Sequence, residues 1–139
     1  MELKIGNTLI GDQHPTWFIA DIAANHDGSL ERALQLIHLA AEAGADAAKF
    51  QNFRGPEIVS DYGFSHMNEE CDKVGITFFS APSDFGPIDM FAPFAPAYKI
   101  GSGDITWIEA CLRMARKGKP VLLATGASTI GDVQRAVDA

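Results

Sequence analysis

Ala97-Tyr98-Lys99-Ile100-Gly101-Ser102-Gly103-Asp104-Ile105-Thr106 is the stretch on which the fold turns. An apolar segment with one lysine runs into a tight Gly-Ser-Gly turn and then a carboxylate, so polar chemistry is delivered at a strand exit. The glycines imitate a dinucleotide-binding loop, but Thr106 stands where the last glycine of GxGxxG belongs, and GxxxxGK[ST] occurs nowhere in the chain. A nucleotide-binding fold therefore lacks its phosphate loop.

The same pattern repeats on both sides of this stretch. Downstream of a strand at 97–101, a helix over 107–117 closes on Gly118, a strand follows at 121–125, and a final helix covers 130–137. Upstream, residues 17–23 are nearly continuous in apolar side chains, as expected of a strand buried on both faces of a parallel sheet. Asn25-His26-Asp27-Gly28 breaks that strand. Ser29 then caps a helix over 30–43, whose Leu30, Ala33, Leu34, Ile37 and Ala41 keep helical spacing, and Gly44 ends it. A strand at 47–53, a helix at 66–74 closed by Gly75, a strand at 77–81 and a short helical segment at 88–94 complete the series. Ahead of it all, 2–5 and 8–10 alternate apolar and polar residues around Gly6-Asn7, which predicts a small hairpin.

Five β/α units in series require a parallel sheet with right-handed crossovers, either doubly wound or closed as a (β/α)8 barrel. Asp21, Lys49, Lys99, Ser102, Asp104 and Thr125 fall at or just beyond the C-terminal ends of different strands. A doubly wound sheet would gather its ligand groups at one switch point, whereas a barrel mouth draws them from many strands. The expectation is a (β/α)8 TIM barrel of which residues 1–139 supply the hairpin and about five units, as one partial domain.

Composition narrows the function. Of 139 residues, 47% are hydrophobic and 21% charged, which suits a folded globular chain. Eighteen acidic residues against eleven basic ones give a formal charge of -7, so neither a nonspecific nucleic-acid surface nor an anionic-membrane patch has electrostatic support. No apolar run approaches the roughly 20 residues that cross a bilayer, and the N-terminus lacks a signal-peptide layout, so a cytoplasmic location is expected. Cys71 and Cys111 lie in helix-like segments without CxxC spacing and read as buried thiols.

Four blocks carry a family resemblance: Ile19-Ala20-Asp21-Ile22-Ala23-Ala24-Asn25-His26-Asp27-Gly28, Ala43-Gly44-Ala45-Asp46-Ala47-Ala48-Lys49-Phe50-Gln51, Tyr98-Lys99-Ile100-Gly101-Ser102-Gly103-Asp104-Ile105-Thr106, and Gly118-Lys119-Pro120-Val121-Leu122-Leu123-Ala124-Thr125-Gly126. In this order and spacing they resemble the sialic acid (N-acetylneuraminate) synthase family. The resemblance implies a barrel that condenses phosphoenolpyruvate with an N-acyl hexosamine such as N-acetylmannosamine, giving a nonulosonic acid and phosphate. It also implies a divalent metal, commonly manganese, a homodimer for the full-length protein, and a small antifreeze-like domain after the barrel. The family's metal-binding histidines lie on later strands, so no residue here is assigned to the metal. Residues 53–68 are shorter than the family's usual insertion, which predicts a fragment, or joined pieces of a longer protein with the join near 63–66.

The candidate site follows from both sources. A lysine ending an apolar strand at a barrel mouth must meet an anion or suffer desolvation; the alternative is a structural ion pair with a nearby Asp. By resemblance, Lys49 and Lys99 bind phosphoenolpyruvate. Ser102, on its tight turn, and Thr125, ahead of a helix start with Ser128 and Thr129, offer further donors to an anion; simple turn or capping roles compete. Asp21 and Asp104 are the acid/base candidates, each one methylene shorter than the Glu usual in the family. Asn25 and His26 either touch substrate or serve their own turn. Ala81 and Ala124 stand where the family usually has Thr and Ser, which keeps a noncatalytic anion-binding relative open. A Schiff-base aldolase using Lys49 or Lys99 is the third reading.

Overall fold

The computed structural model describes residues 2–52 and 60–139. A hairpin of β1 (Glu2–Ile5) and β2 (Thr8–Gly11) comes first, paired antiparallel with Ile5 opposite Thr8. Its two-residue loop places Gly6 at φ +57°, a conformation glycine adopts without strain. Five β/α units follow: β3 (Ile19–Ala23), α1 (Leu30–Glu42), β4 (Ala47–Asn52), α2 (Asp61–Val74), β5 (Thr77–Pro82), α3 (Phe85–Phe91), β6 (Tyr98–Ile100), α4 (Ile108–Ala115), β7 (Val121–Leu123) and α5 (Ile130–Asp138). Strands β3, β4 and β5 form one parallel ladder and β6 and β7 another. The ladder is interrupted between β5 and β6, although the two strands pack side by side. The result is a partial (β/α)8 barrel.

Parallel register puts alternate residues on two faces. Ala48, Phe50, Phe78, Tyr98 and Ile100 look outward into the helical layer, where they meet Ala33 and Ile37 of α1, Phe64 and Met67 of α2, Phe91 of α3 and Met114 of α4. Phe78, Phe91 and Tyr98 form two edge-to-face contacts with ring centroids 5.4 and 5.8 Å apart, a geometry worth about 0.5–1.5 kcal/mol per pair beyond area burial. The Tyr98 hydroxyl donates to the Ile88 carbonyl at 3.3 Å, so the buried phenol is not left unpaired. On the inner face Phe79 packs with Ile5 of the hairpin and with Ala97, with Trp17 and Leu122 against them. The hairpin thus covers the N-terminal end of the inner face and leaves the C-terminal strand ends as the accessible mouth.

Helix boundaries show where local signals compete. Ser29 caps α1 by accepting from the Arg32 amide at 3.2 Å, and Gly44 follows at φ +83°, both as expected. Helix α2, in contrast, starts at Asp61 rather than 66. Ser60 accepts from the Gly63 amide at 3.0 Å, and Gly63 is buried in the first turn beside the core residue Phe64. The join expected near 63–66 therefore falls inside a regular helix. The end of the strand expected at 53, and residues 53–59 of the shortened segment, lie outside the described residues. Helix α3 begins at Phe85, not 88, because Asp84 caps it and Pro87 fits the first turn, where no intrahelical donor is needed. Both cysteines are buried thiols. Among the described residues no helix is long and apolar enough to cross a membrane.

Candidate active site at the strand ends

Register brings the first two site residues together. Asp21 of β3 lies directly opposite Lys49 of β4, and the lysine Nζ donates to Asp21 Oδ1 at 2.8 Å. Lys49 is 3% exposed, whereas the Asp21 side chain is 61% exposed. The cation is thus held inside and the carboxylate looks out of the mouth. For Lys49 the structure realises the ion pair that competed with direct anion binding.

Lys99 of β6 differs. Its neighbours Tyr98 and Ile100 point into the helical layer, so its own side chain takes the inner face. Among the described residues it makes no ion pair. Burial pushes its ammonium below the ordinary lysine range, the Lys49 charge pushes the same way, and Asp21 and Asp104 offset part of the effect. Four charges therefore converge: two cations that repel one another, one of them already paired, and two carboxylates. Of the two lysines, Lys49 alone is ion-paired among the described residues.

The turn after β6 is built by its glycine. A Cβ on Gly101 would sit 2.7 Å from Asp104 Oδ2, so the carboxylate folds back over the glycine and any larger residue would displace it. The Asp104 amide donates to the Gly101 carbonyl at 3.0 Å, which closes the turn. Ser102 is fixed from the other side, since its carbonyl accepts from Ser128 Oγ at 3.0 Å. Ser128 thus neither caps α5 nor faces outward as a free donor. Capping falls to Thr129, which accepts from the Asp132 amide at 3.2 Å in a reciprocal box. Thr125 is exposed at the β7 exit.

The β3 exit loop is folded on itself. Asn25 donates its side-chain amide to the Ile22 carbonyl at 2.9 Å and stays exposed at the mouth. His26 is 3% exposed, with Nε2 3.1 Å from the Gln51 carbonyl and Nδ1 accepting from the Gly28 amide at 3.0 Å. Both ring nitrogens are engaged with backbone, the arrangement that the turn role expected as one of two for His26 requires. Ala81 lies opposite Gln51 on the inner face and carries no hydroxyl there. Gln51 and Ser128 are the site neighbours that sequence reasoning did not single out for these roles; no spacing rule marks a backbone carbonyl or a serine that bonds 26 residues away.

The described residues contain no group of three or more His, Cys, Asp or Glu side chains able to hold a metal ion. They do not fit the divalent ion that the resemblance implies.

An incomplete parallel barrel with two lysines among carboxylates at its strand C-termini defines the class: a partial (β/α)8 barrel of the synthase type. The chain belongs to the NeuB family, whose family model matches residues 62–139. An uncharacterized protein of Methanocaldococcus jannaschii is 34% identical over 98% of this chain and 45% of its own length. The human N-acetylneuraminate-9-phosphate synthase is 28% identical over 91% of this chain and 43% of its own. The crystal structure of N-acetylneuraminic acid (sialic acid) synthetase from Leptospira borgpetersenii in complex with citrate superposes with a TM-score of 0.89 at 30% identity, covering 99% of this chain and 54% of that one. The chain spans less than half the length of these curated relatives. The alignment with the archaeal relative runs over 152 residues, more than the 139 of this chain, so that relative carries residues within the matched span that this chain lacks.

Proposed function

We propose that the complete protein containing this chain condenses phosphoenolpyruvate with an N-acyl hexosamine, giving a nonulosonic acid and phosphate. The observation that carries the reading is Lys99: a partly buried ammonium without an ion pair among the described residues, beside Lys49, on the inner face of the mouth. Two like charges held together in a partly dry site relax when an anion with two charged groups enters, and phosphoenolpyruvate carries a carboxylate and a phosphate. Lys99 takes one of these groups, Lys49 reinforces it while anchored by Asp21, and the Ser102 hydroxyl adds a neutral donor. The family membership and the synthase relatives support the same substrate pair.

The reaction balances as follows. C3 of the enolpyruvyl group forms a bond to the aldehyde carbon of the open-chain sugar, whose oxygen takes up a proton. A water oxygen adds to C2 and gives up a proton. The C2–O bond then breaks as the new C2 hydroxyl becomes the ketone, its proton passing to the phosphate, which departs with the bridging oxygen. Asp21 and Asp104 are the carboxylates placed to orient water or sugar hydroxyls and to accept that proton. Manganese would be held by residues other than those described.

The test supplies the complete protein with phosphoenolpyruvate, manganese and a panel of N-acylated hexosamines. Phosphate release with at least one acceptor, abolished by chelation, is expected; no release with any acceptor, from folded metal-loaded protein, would refute the proposal. A second reading draws on the same lysine. An unpaired amine with a lowered pKa can attack a ketone, losing water to form an imine. Borohydride reduction in the presence of pyruvate, followed by mass spectrometry, separates the two, because the synthase leaves no adduct on Lys99.

A further inference from the structure

The pairing of Asp21 with Lys49 depends on a strand that loses its regularity just beyond it. The β3–β4 ladder runs Ile19 to Ala47, Ala20 to Ala48 and Asp21 to Lys49, then shifts, so that Ala23 lies opposite Phe50. Ile22 is the extra residue of this bulge. Ala23 follows at φ +51°, a left-handed conformation that costs a non-glycine residue energy and persists only where its surroundings impose it. Asp27 repeats that conformation, also at φ +51°. The backbone ladder ends there, and the next carbonyl along β4, that of Gln51, is met by the His26 side chain at 3.1 Å.

The chemistry of the two contacts fixes the ring. The Gly28 amide can only donate, so Nδ1 carries no proton; the Gln51 carbonyl can only accept, so Nε2 carries one. The imidazole therefore bridges the β3 exit loop and the β4 end in a single tautomer. It packs against Phe50, with ring centroids 6.1 Å apart.

We infer that His26 is a positioning residue for the proposed condensation: its Nε2–H supplies the ladder bond that the bulged end of β3 cannot make, and so holds Asp21 opposite Lys49. This rests on the proposed activity for its kinetic consequence, but not for its structural content. Without the bridge, the strained exit relaxes, the Asp21 carboxylate drifts from its place above Lys49, and the Asn25 side chain moves with the loop. A displacement near 1 Å at a reacting group costs roughly tenfold to a hundredfold in rate.

The experiment uses the complete protein with His26→Asn and His26→Gln. Asn places an acceptor near the Nδ1 position but cannot reach the Gln51 carbonyl, whereas Gln carries an amide donor to about the reach of Nε2. His26→Asn is expected to lower kcat roughly tenfold or more with the phosphoenolpyruvate KM little changed, and His26→Gln to recover most of that loss. In an Asp21→Asn background the His26→Asn loss should disappear, because the residue acts through Asp21. Nitrogen NMR of the wild type should show Nε2 protonated and slow to exchange, with Asp21 and Lys49 resonances shifted in the Asn variant and restored in the Gln variant. Wild-type kcat in His26→Asn, or a ring protonated at Nδ1, would overturn the inference. A wild type without turnover would refute the proposed activity, and the NMR signature would then decide the positioning role alone.

Discussion

Asp21→Asn should move binding and turnover in opposite directions. The substitution keeps shape and leaves an oxygen to accept from Lys49 Nζ, but removes the negative charge 2.8 Å from that ammonium. Breaking a fully buried pair costs about 3–5 kcal/mol, but Asp21 is 61% exposed and already screened by water, so a loss of about 1–2 kcal/mol in stability is expected. The site then presents two lysines with Asp104 as the carboxylate that remains to offset them. Removing one like charge about 6 Å from a bound anion, at an effective dielectric of about 40, strengthens anion binding by about 1.4 kcal/mol, or roughly tenfold. Turnover should fall roughly 100-fold, since the orienting and proton-accepting carboxylate is gone. Calorimetry with phosphoenolpyruvate alone, a phosphate-release assay and a thermal melt on the complete protein read the three effects separately. Asp21→Glu is the control, restoring the side chain usual in the family and shifting acceptor preference if the shorter reach suits a different sugar. Weakened phosphoenolpyruvate binding together with unchanged turnover in Asp21→Asn would refute the assigned role.

Lys99→Ala removes the cation free to meet the anion and should weaken phosphoenolpyruvate binding by roughly 2 kcal/mol, measured by calorimetry; unchanged affinity would make Lys99 structural. On the outer surface, Arg113 and then Lys117 beside Asp89 hold its carboxyl down to about 2, from an ordinary 3.8. That stabilisation is present above about pH 4 and is lost as pH falls toward 2, so the melting gap between wild type and Asp89→Asn should close over this window. The isolated 139-residue chain leaves the outer edges of β3 and β7 unpaired among the described residues, with Phe18 62% and Val137 67% exposed. It should oligomerise or melt without cooperativity, as judged by size-exclusion chromatography and a thermal scan; a monomer with a sharp transition would count against that expectation.

Much of the site was legible because strand ends are. Lys49, Lys99 and Asp21 each interrupt an apolar run, and alternation along a strand fixes which face such a residue takes. Ser29, Gly44 and Gly75 marked helix ends through local backbone chemistry that no distant contact overrides. The start of α2 is less legible, because its cap, Ser60, acts through the Gly63 amide and the first turn is held by burial of Gly63 and Phe64 against the core. His26 fits two roles on sequence, because a turn and a substrate contact ask for the same residue type.

The order of strands and helices, the parallel sheet, the barrel and the set of residues at its mouth follow from the sequence alone, because periodicity and strand-exit chemistry are local properties. The division of labour at the mouth was decided by tertiary structure. Nothing in the chain's spacing says that Lys49 is ion-paired with Asp21 while Lys99 makes no ion pair among the described residues, or that His26 spends both nitrogens on backbone and Ser128 reaches back to Ser102. Those outcomes depend on register, on a bulge after Asp21, and on which loops touch. A one-residue shift in any of them would exchange the partners without changing the pattern in the sequence.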